Sequence, residues 1–148
     1  MNTLSIFMRK AFWGLFIFSS FQSVAYDDPQ EINYDRAKFN YQMLCQGCHT
    51  PDGMGGKSIP KVNGFIGYFL QTEMSRDYLV RVPGSANSAL NDKQLAEVLN
   101  WMILEFGGES VPENMQYYTA EEVAKLRQEP LFEVVEYRNM LLKELLVK

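Results

Sequence analysis

The chain has 148 residues, 47% of them hydrophobic and 22% charged, with a formal net charge of −4, 10 Gly and 6 Pro. This composition excludes a wholly disordered or low-complexity chain and leaves room for one domain with an extension. The acidic balance opposes nucleic-acid binding, which needs Lys and Arg to displace counterions, and two cysteines cannot build a multi-disulfide scaffold.

In chain order, the first expected element is a secretory signal over residues 1–25. Arg9 and Lys10 precede an apolar run over residues 11–18, and Ser23 and Ala25 stand at −3 and −1 of a cut before Tyr26. Met8 would itself make a compact signal start. The alternative is an uncleaved anchor, but a spanning helix takes about 20 apolar residues and this run is shorter. Cleavage leaves 123 residues and moves the charge from −4 to −6, because Arg9 and Lys10 are the only charged side chains lost. The expected product is exported, periplasmic or otherwise outside the cytoplasm, with no stable membrane insertion once the signal is gone.

A helix-like stretch, Tyr34–Leu44, then runs into the pentapeptide Cys45-Gln46-Gly47-Cys48-His49. CxxCH is the spacing of c-type haem attachment. Two thiols three residues apart reach the two vinyl groups on one porphyrin edge, and the histidine that follows swings beneath the ring to ligate the iron. The motif predicts one covalently bound haem c held by Cys45 and Cys48, with His49 as the metal ligand and no catalytic residue. A redox dithiol should instead follow a strand and open a helix in a βαβ unit. Structural zinc wants two further Cys or His ligands, and the chain has one His in all. A plain disulfide leaves His49 without a role.

The segment from Tyr34 through His49 to Gly56, with Ile59-Pro60 and Asn63-Gly64 beyond it, resembles the class I monohaem cytochromes c. The resemblance covers about residues 33–106. It implies an all-α, cytochrome c-like fold around one haem, with a C-terminal helical addition. It also implies that the Pro60 carbonyl accepts a hydrogen bond from the outer nitrogen of His49, fixing its tautomer. The expected divisions are 1–25 signal, 26–106 haem domain and 107–148 extension, with about five helices in all.

The last helix of the haem domain is legible on its own physics. Asn91 can cap it with Gln94 at the return position, and Leu90 can staple to Leu95. Leu95, Val98, Leu99, Met102, Ile103 and Phe106 follow one apolar face until Gly107-Gly108. Class I cytochromes usually supply a methionine to the iron from the loop ahead of this helix. Here that loop, residues 81–89, contains none. Met43 and Met54 lie close to the motif and are poorly placed to cross the ring, while Met102 and Met140 suit packing. Met74 and Met115 remain as candidate distal ligands beside an open or water-bound site.

In the extension, Thr119-Ala-Glu-Glu122 reads as a capping box, with Tyr118 stapling to Val123 and the helix stopping before Pro130. A final helix over about residues 131–145 should carry Leu131, Val134, Val135, Leu141, Leu142 and Leu145 on one stripe. It is read chiefly as a cover for exposed core, with partner docking or a distal haem wall as alternatives. The functional expectation is electron transfer between redox protein partners, whose basic patches a −6 balance would attract over roughly 8–10 Å. Two alternatives stay open. One is a haem enzyme or ligand-binding protein with an open distal site, where Arg76 and Arg81 would stand in for a missing distal His. The other is a haem subunit of a dehydrogenase complex.

Overall fold

The structure is a computed structural model that describes residues 32–146; the expected signal lies outside them. Among the described residues seven α-helices run in the order α1 (Tyr34–Leu44), α2 (Gln46–His49), α3 (Glu73–Arg81), α4 (Pro83–Ala86), α5 (Asp92–Phe106), α6 (Ala120–Leu126) and α7 (Val134–Leu146). Short 3₁₀ turns occupy Ile66–Leu70 and Gly108–Ser110. The only β pairing among the described residues is an isolated bridge between Gly56 and Ile59, so the all-α expectation holds. The helices outnumber the expected five because α2 and α4 are four-residue turns and α3 has no clear sequence signal.

Caps set the limits of the longer helices. Asn33 caps α1 by accepting from the Arg36 N–H. At α5, Asn91 and Gln94 bond each other's backbone reciprocally, as expected from their spacing. Ala37, Asn40 and Tyr41 form the buried stripe of α1, and it packs across α5. There the Tyr41 ring lies 5.2 Å from both Trp101 and Phe106. Ten of the fifteen residues of α5 are buried, on all sides of the helix. A helix buried all round belongs at the centre of a domain, and this one has α1 on one side and α6 on another.

One ionic clamp locks the α1–α5 crossing. Glu97, 6% exposed, accepts from Arg36 Nε at 2.7 Å and Nη2 at 2.8 Å, and from the Asn33 N–H at 2.9 Å. Arg36 is 44% exposed and returns to water when its partner is removed. Glu97→Ala should therefore cost about 2 kcal/mol, below the full penalty of a stranded buried charge. Denaturant unfolding checks this, and Glu97→Gln should recover part of the loss by restoring the acceptor.

The extension shares the main core. Tyr118 and Val123 belong to the same buried cluster as Ala37, Leu95 and Ile103. Leu131, Leu141 and Leu145 close a second cluster with Phe69 and Tyr78, where the two rings stack at 5.1 Å. Thr119 caps α6 as expected, accepting from the Glu122 N–H. The Glu122 side chain does not return to the cap, however. It binds Arg76 of α3 at 2.6 and 2.9 Å, a charge-assisted pair stronger than the local bond it replaces. Val135 also departs from its expected stripe. It is 73% exposed, because α7 turns Val134, Leu141 and Leu145 inward instead.

Candidate functional site

The CxxCH residues sit where α1 ends and α2 begins. Cys45 is the C-cap of α1, its N–H donating to the Tyr41 carbonyl, and it starts the turn of α2. The Cys48 and His49 N–H groups both donate to the Cys45 carbonyl, at 3.1 and 3.0 Å. The motif is thus wound into one turn, which brings the two cysteines and the histidine together. Both thiols are free. Cys48 is exposed, while Cys45 packs against the main core, where burial first and the neighbouring Cys48 second push its pKa up to about 11.

The imidazole of His49 is half-buried, and desolvation holds its pKa below the ordinary value. The Pro60 backbone opposes that shift, so this is the backbone group that favours the charged ring, as the resemblance implies. Nδ1 is fully buried and lacks a hydrogen bond of good geometry, so the expected bond to the Pro60 carbonyl is approached and not formed. Gly55, at φ +72°, is what allows this loop to close. A Cβ there would strike the Ile59 carbonyl oxygen and come within 2.9 Å of that of Pro60.

The residue that follows His49 carries no sequence signal of its own. Thr50 has φ +63°, the one non-glycine residue with positive φ among the described residues. Its carbonyl accepts from the Tyr41 hydroxyl, and its Oγ1 lies 2.6 Å from Asp52 Oδ1. The Thr50 hydroxyl, and then the Met54 N–H, hold the Asp52 carboxyl below its usual range. A β-branched residue gives no hint of a left-handed φ. The buried tyrosine four residues ahead of Cys45 is readable as core only.

Met74 is exposed. Met115 is half-buried against the main core and lines a cleft of about 430 Å³ with Leu70, Glu73, Arg76, Pro112 and Gln116, to which none of Cys45, Cys48 and His49 contributes. Arg76 and Arg81 are both committed to the extension. Arg76 binds Glu122 and the Gln116 carbonyl, and Arg81 donates to the Glu129 carbonyl. Neither is a spare cation for a distal pocket.

The chain is 31% identical to cytochrome c-552 of Thermus thermophilus over an alignment of 116 residues, which covers 66% of this chain and 87% of that relative. A second cytochrome c-552, from a named strain of the same species, matches at the same identity with 77% of its length covered. No family model and no solved structure matches the chain. The all-α fold and this similarity together define a haem protein of electron transfer. The chain belongs to the class I c-type cytochromes, and its cofactor is covalently bound haem c with its iron. The residues present suit that group: two unpaired thiols wound onto one turn, one of them exposed, with a half-buried imidazole directly after them.

Proposed function

We propose that Cys45 and Cys48 each add their S–H across a haem vinyl group, giving two thioethers, and that His49 ligates the iron. The observation carrying this is the single turn of CxxCH at the end of α1, with both thiols free and the half-buried imidazole directly after them. The haem supplies the one-electron ferrous/ferric couple. The chain's own part is to hold the ring, to orient the imidazole through the loop at Pro60, and to bring α1 and α5 together behind the motif.

On this reading the protein is an exported electron carrier between redox protein partners, and no residue of its own does catalysis. The Arg9-Lys10 start, the apolar run and the small residues before Tyr26 support export. No helix among the described residues is long and apolar enough to cross a membrane. The −6 balance supports encounters with basic partner surfaces. On the same reading residues 26–106 are the haem domain and 107–148 its extension, whose Tyr118 and Val123 join the main core. A distal site open to exogenous ligands is the second reading, favoured by one observation: residues 81–89 carry no methionine. A haem subunit of a dehydrogenase complex remains the third, with the exposed side chains of α7 as its docking surface.

Expression of the full chain alongside a haem-attachment system tests the proposal. The purified protein should be coloured, should have lost 25 residues by mass, and should stain for haem in a denaturing gel. Cys45→Ala with Cys48→Ala should lose that stain completely. Persistence of the stain in the double variant overturns the assignment. Carbon monoxide then separates the first two readings, since a reduced protein that binds it rapidly has an open distal position. Co-purification with a dehydrogenase at stoichiometric amounts would favour the third.

A further inference from the structure

The backbone immediately after the proposed iron ligand is held in a conformation that its own residue type resists. Thr50 stands at φ +63°, ψ 161°, a region that β-branched residues avoid because Cβ crowds the backbone. Thr50 is half-exposed and lies outside both hydrophobic clusters, so core packing does not force it there. Hydrogen bonds do. The Thr50 N–H donates to the Gln46 carbonyl at 2.8 Å, and its own carbonyl accepts from Tyr41 Oη at 2.5 Å. Its hydroxyl proton is shared between the His49 carbonyl at 2.5 Å and Asp52 Oδ1 at 2.6 Å. Gly55 N–H closes the ring, 3.1 Å from the His49 carbonyl and 3.2 Å from Thr50 Oγ1.

Tyr41 is the fixed end of this network. It is 1% exposed, and Trp101 and Phe106 grip its ring. Its hydroxyl is therefore delivered to Thr50 by the α1–α5 crossing itself. With the carbonyls of His49 and Thr50 both pinned, the His49 Cα–Cβ bond leaves the backbone in a fixed direction, which limits where the imidazole can lie. His49 ends a four-residue helix, so no further helical turn fixes that direction, and the loop at Pro60 acts only on the ring beyond it.

We infer that Tyr41 and Thr50 are positioning residues for His49, transmitting the rigidity of the α1–α5 crossing to the plane of the imidazole and so to the reduction equilibrium of the haem. This rests on the reading of His49 as iron ligand. The strain at Thr50 is retained because relaxing it would let the ligand plane turn.

The test uses the holoprotein and three variants. Tyr41→Phe keeps the ring and removes only the hydroxyl. Thr50→Ala removes the side-chain bonds, and Thr50→Ser restores them. Haem staining of the wild type is read first, because a wild type without covalent haem overturns the ligand reading itself. With haem in place, the readouts are the pattern of haem methyl shifts in the paramagnetic NMR spectrum, which reports the imidazole plane, and the midpoint potential. Tyr41→Phe and Thr50→Ala should rearrange the methyl pattern and move the reduction equilibrium about threefold at unchanged haem content, and Thr50→Ser should return both to wild type. A methyl pattern and potential that stay at wild-type values in both variants, even with a lowered melting temperature, would show a purely structural role and overturn the inference. So would a Thr50→Ser protein as altered as Thr50→Ala. If Tyr41→Phe fails to accumulate, the Ser and Ala pair at Thr50 decides alone.

Discussion

Replacing Arg127 with Ala should destabilise the protein by about 3 kcal/mol and lower its melting temperature by roughly 10 °C. The guanidinium lies just past the end of α6 and reaches back over the segment that enters α5. Its Nε and Nη2 donate to the Ala86 carbonyl at 3.1 and 3.0 Å, Nη2 also to the Ser88 carbonyl at 2.8 Å, and Nη1 to the Leu90 carbonyl at 2.8 Å. A fifth contact joins Nη1 to Asp92 Oδ1 at 3.0 Å. The Ala86 carbonyl is the last of α4 and those of Ser88 and Leu90 lie in the irregular segment beyond it, so none has a helical partner and one planar fork satisfies all three. Arg127→Lys should recover little, since a single ammonium cannot span three acceptors. Asp92→Asn is the control. Asp92 is 43% exposed, and a pair that open to water contributes under about 1 kcal/mol. Thermal melts of the three variants check the ranking, and an Asp92→Asn protein as unstable as Arg127→Ala would place the effect in the ion pair instead of the carbonyls.

Arg127 also marks the boundary of what the sequence can tell. Local signals are legible. The span Tyr34–Leu44, the Asn91–Gln94 box and the Thr119 cap each depend on residues close to one another in the chain, and each appears in the structure. The CxxCH motif is equally local. What escapes depends on partners far apart in the chain. An arginine in isolation reads as solvated surface, and nothing near Arg127 announces carbonyls 37 to 41 residues upstream. Glu122 reads as a member of its own cap because its partner, Arg76, lies 46 residues away. Helix α3 is hidden for a different reason. Its cap is Thr72 with Ser75 in the return position, where Glu or Gln is the usual sign, and its buried residues Ser75, Tyr78 and Val80 make no clear apolar stripe. Val135 shows the limit of periodicity itself, since two adjacent valines begin α7 and only tertiary packing selects which one turns inward.

The same logic of distant partners gives the largest expected loss, at Asn100. It lies in the middle of α5, 2% exposed, a poor place for an amide on propensity or burial alone. Its presence is explained by Tyr118, whose backbone pairs with the amide through both of its polar atoms. Asn100 Nδ2 donates to the Tyr118 carbonyl at 3.0 Å, and Asn100 Oδ1 accepts from the Tyr118 N–H at 2.8 Å. Tyr118 is itself 1% exposed and tethered through its hydroxyl to the Arg76 carbonyl at 2.7 Å. Water therefore cannot replace the amide. Asn100→Leu would leave a buried donor and a buried acceptor unpaired at once, at a cost of about 4 kcal/mol, and should release the segment of extension ahead of α6 from the core. Asn100→Asp separates hydrogen bonding from shape. It keeps the size and the acceptor for the Tyr118 N–H but sets a second oxygen against the Tyr118 carbonyl, so at neutral pH it should be nearly as damaging as leucine. Hydrogen exchange at residues 116–119 reads the outcome directly. Both variants should lose protection there while α1 keeps its own, because the Tyr41, Trp101 and Phe106 contacts do not pass through Asn100. An Asn100→Asp protein with wild-type protection would show that the Nδ2 bond carries nothing and that α5 holds the extension by apolar contact with Tyr118 and Val123 alone.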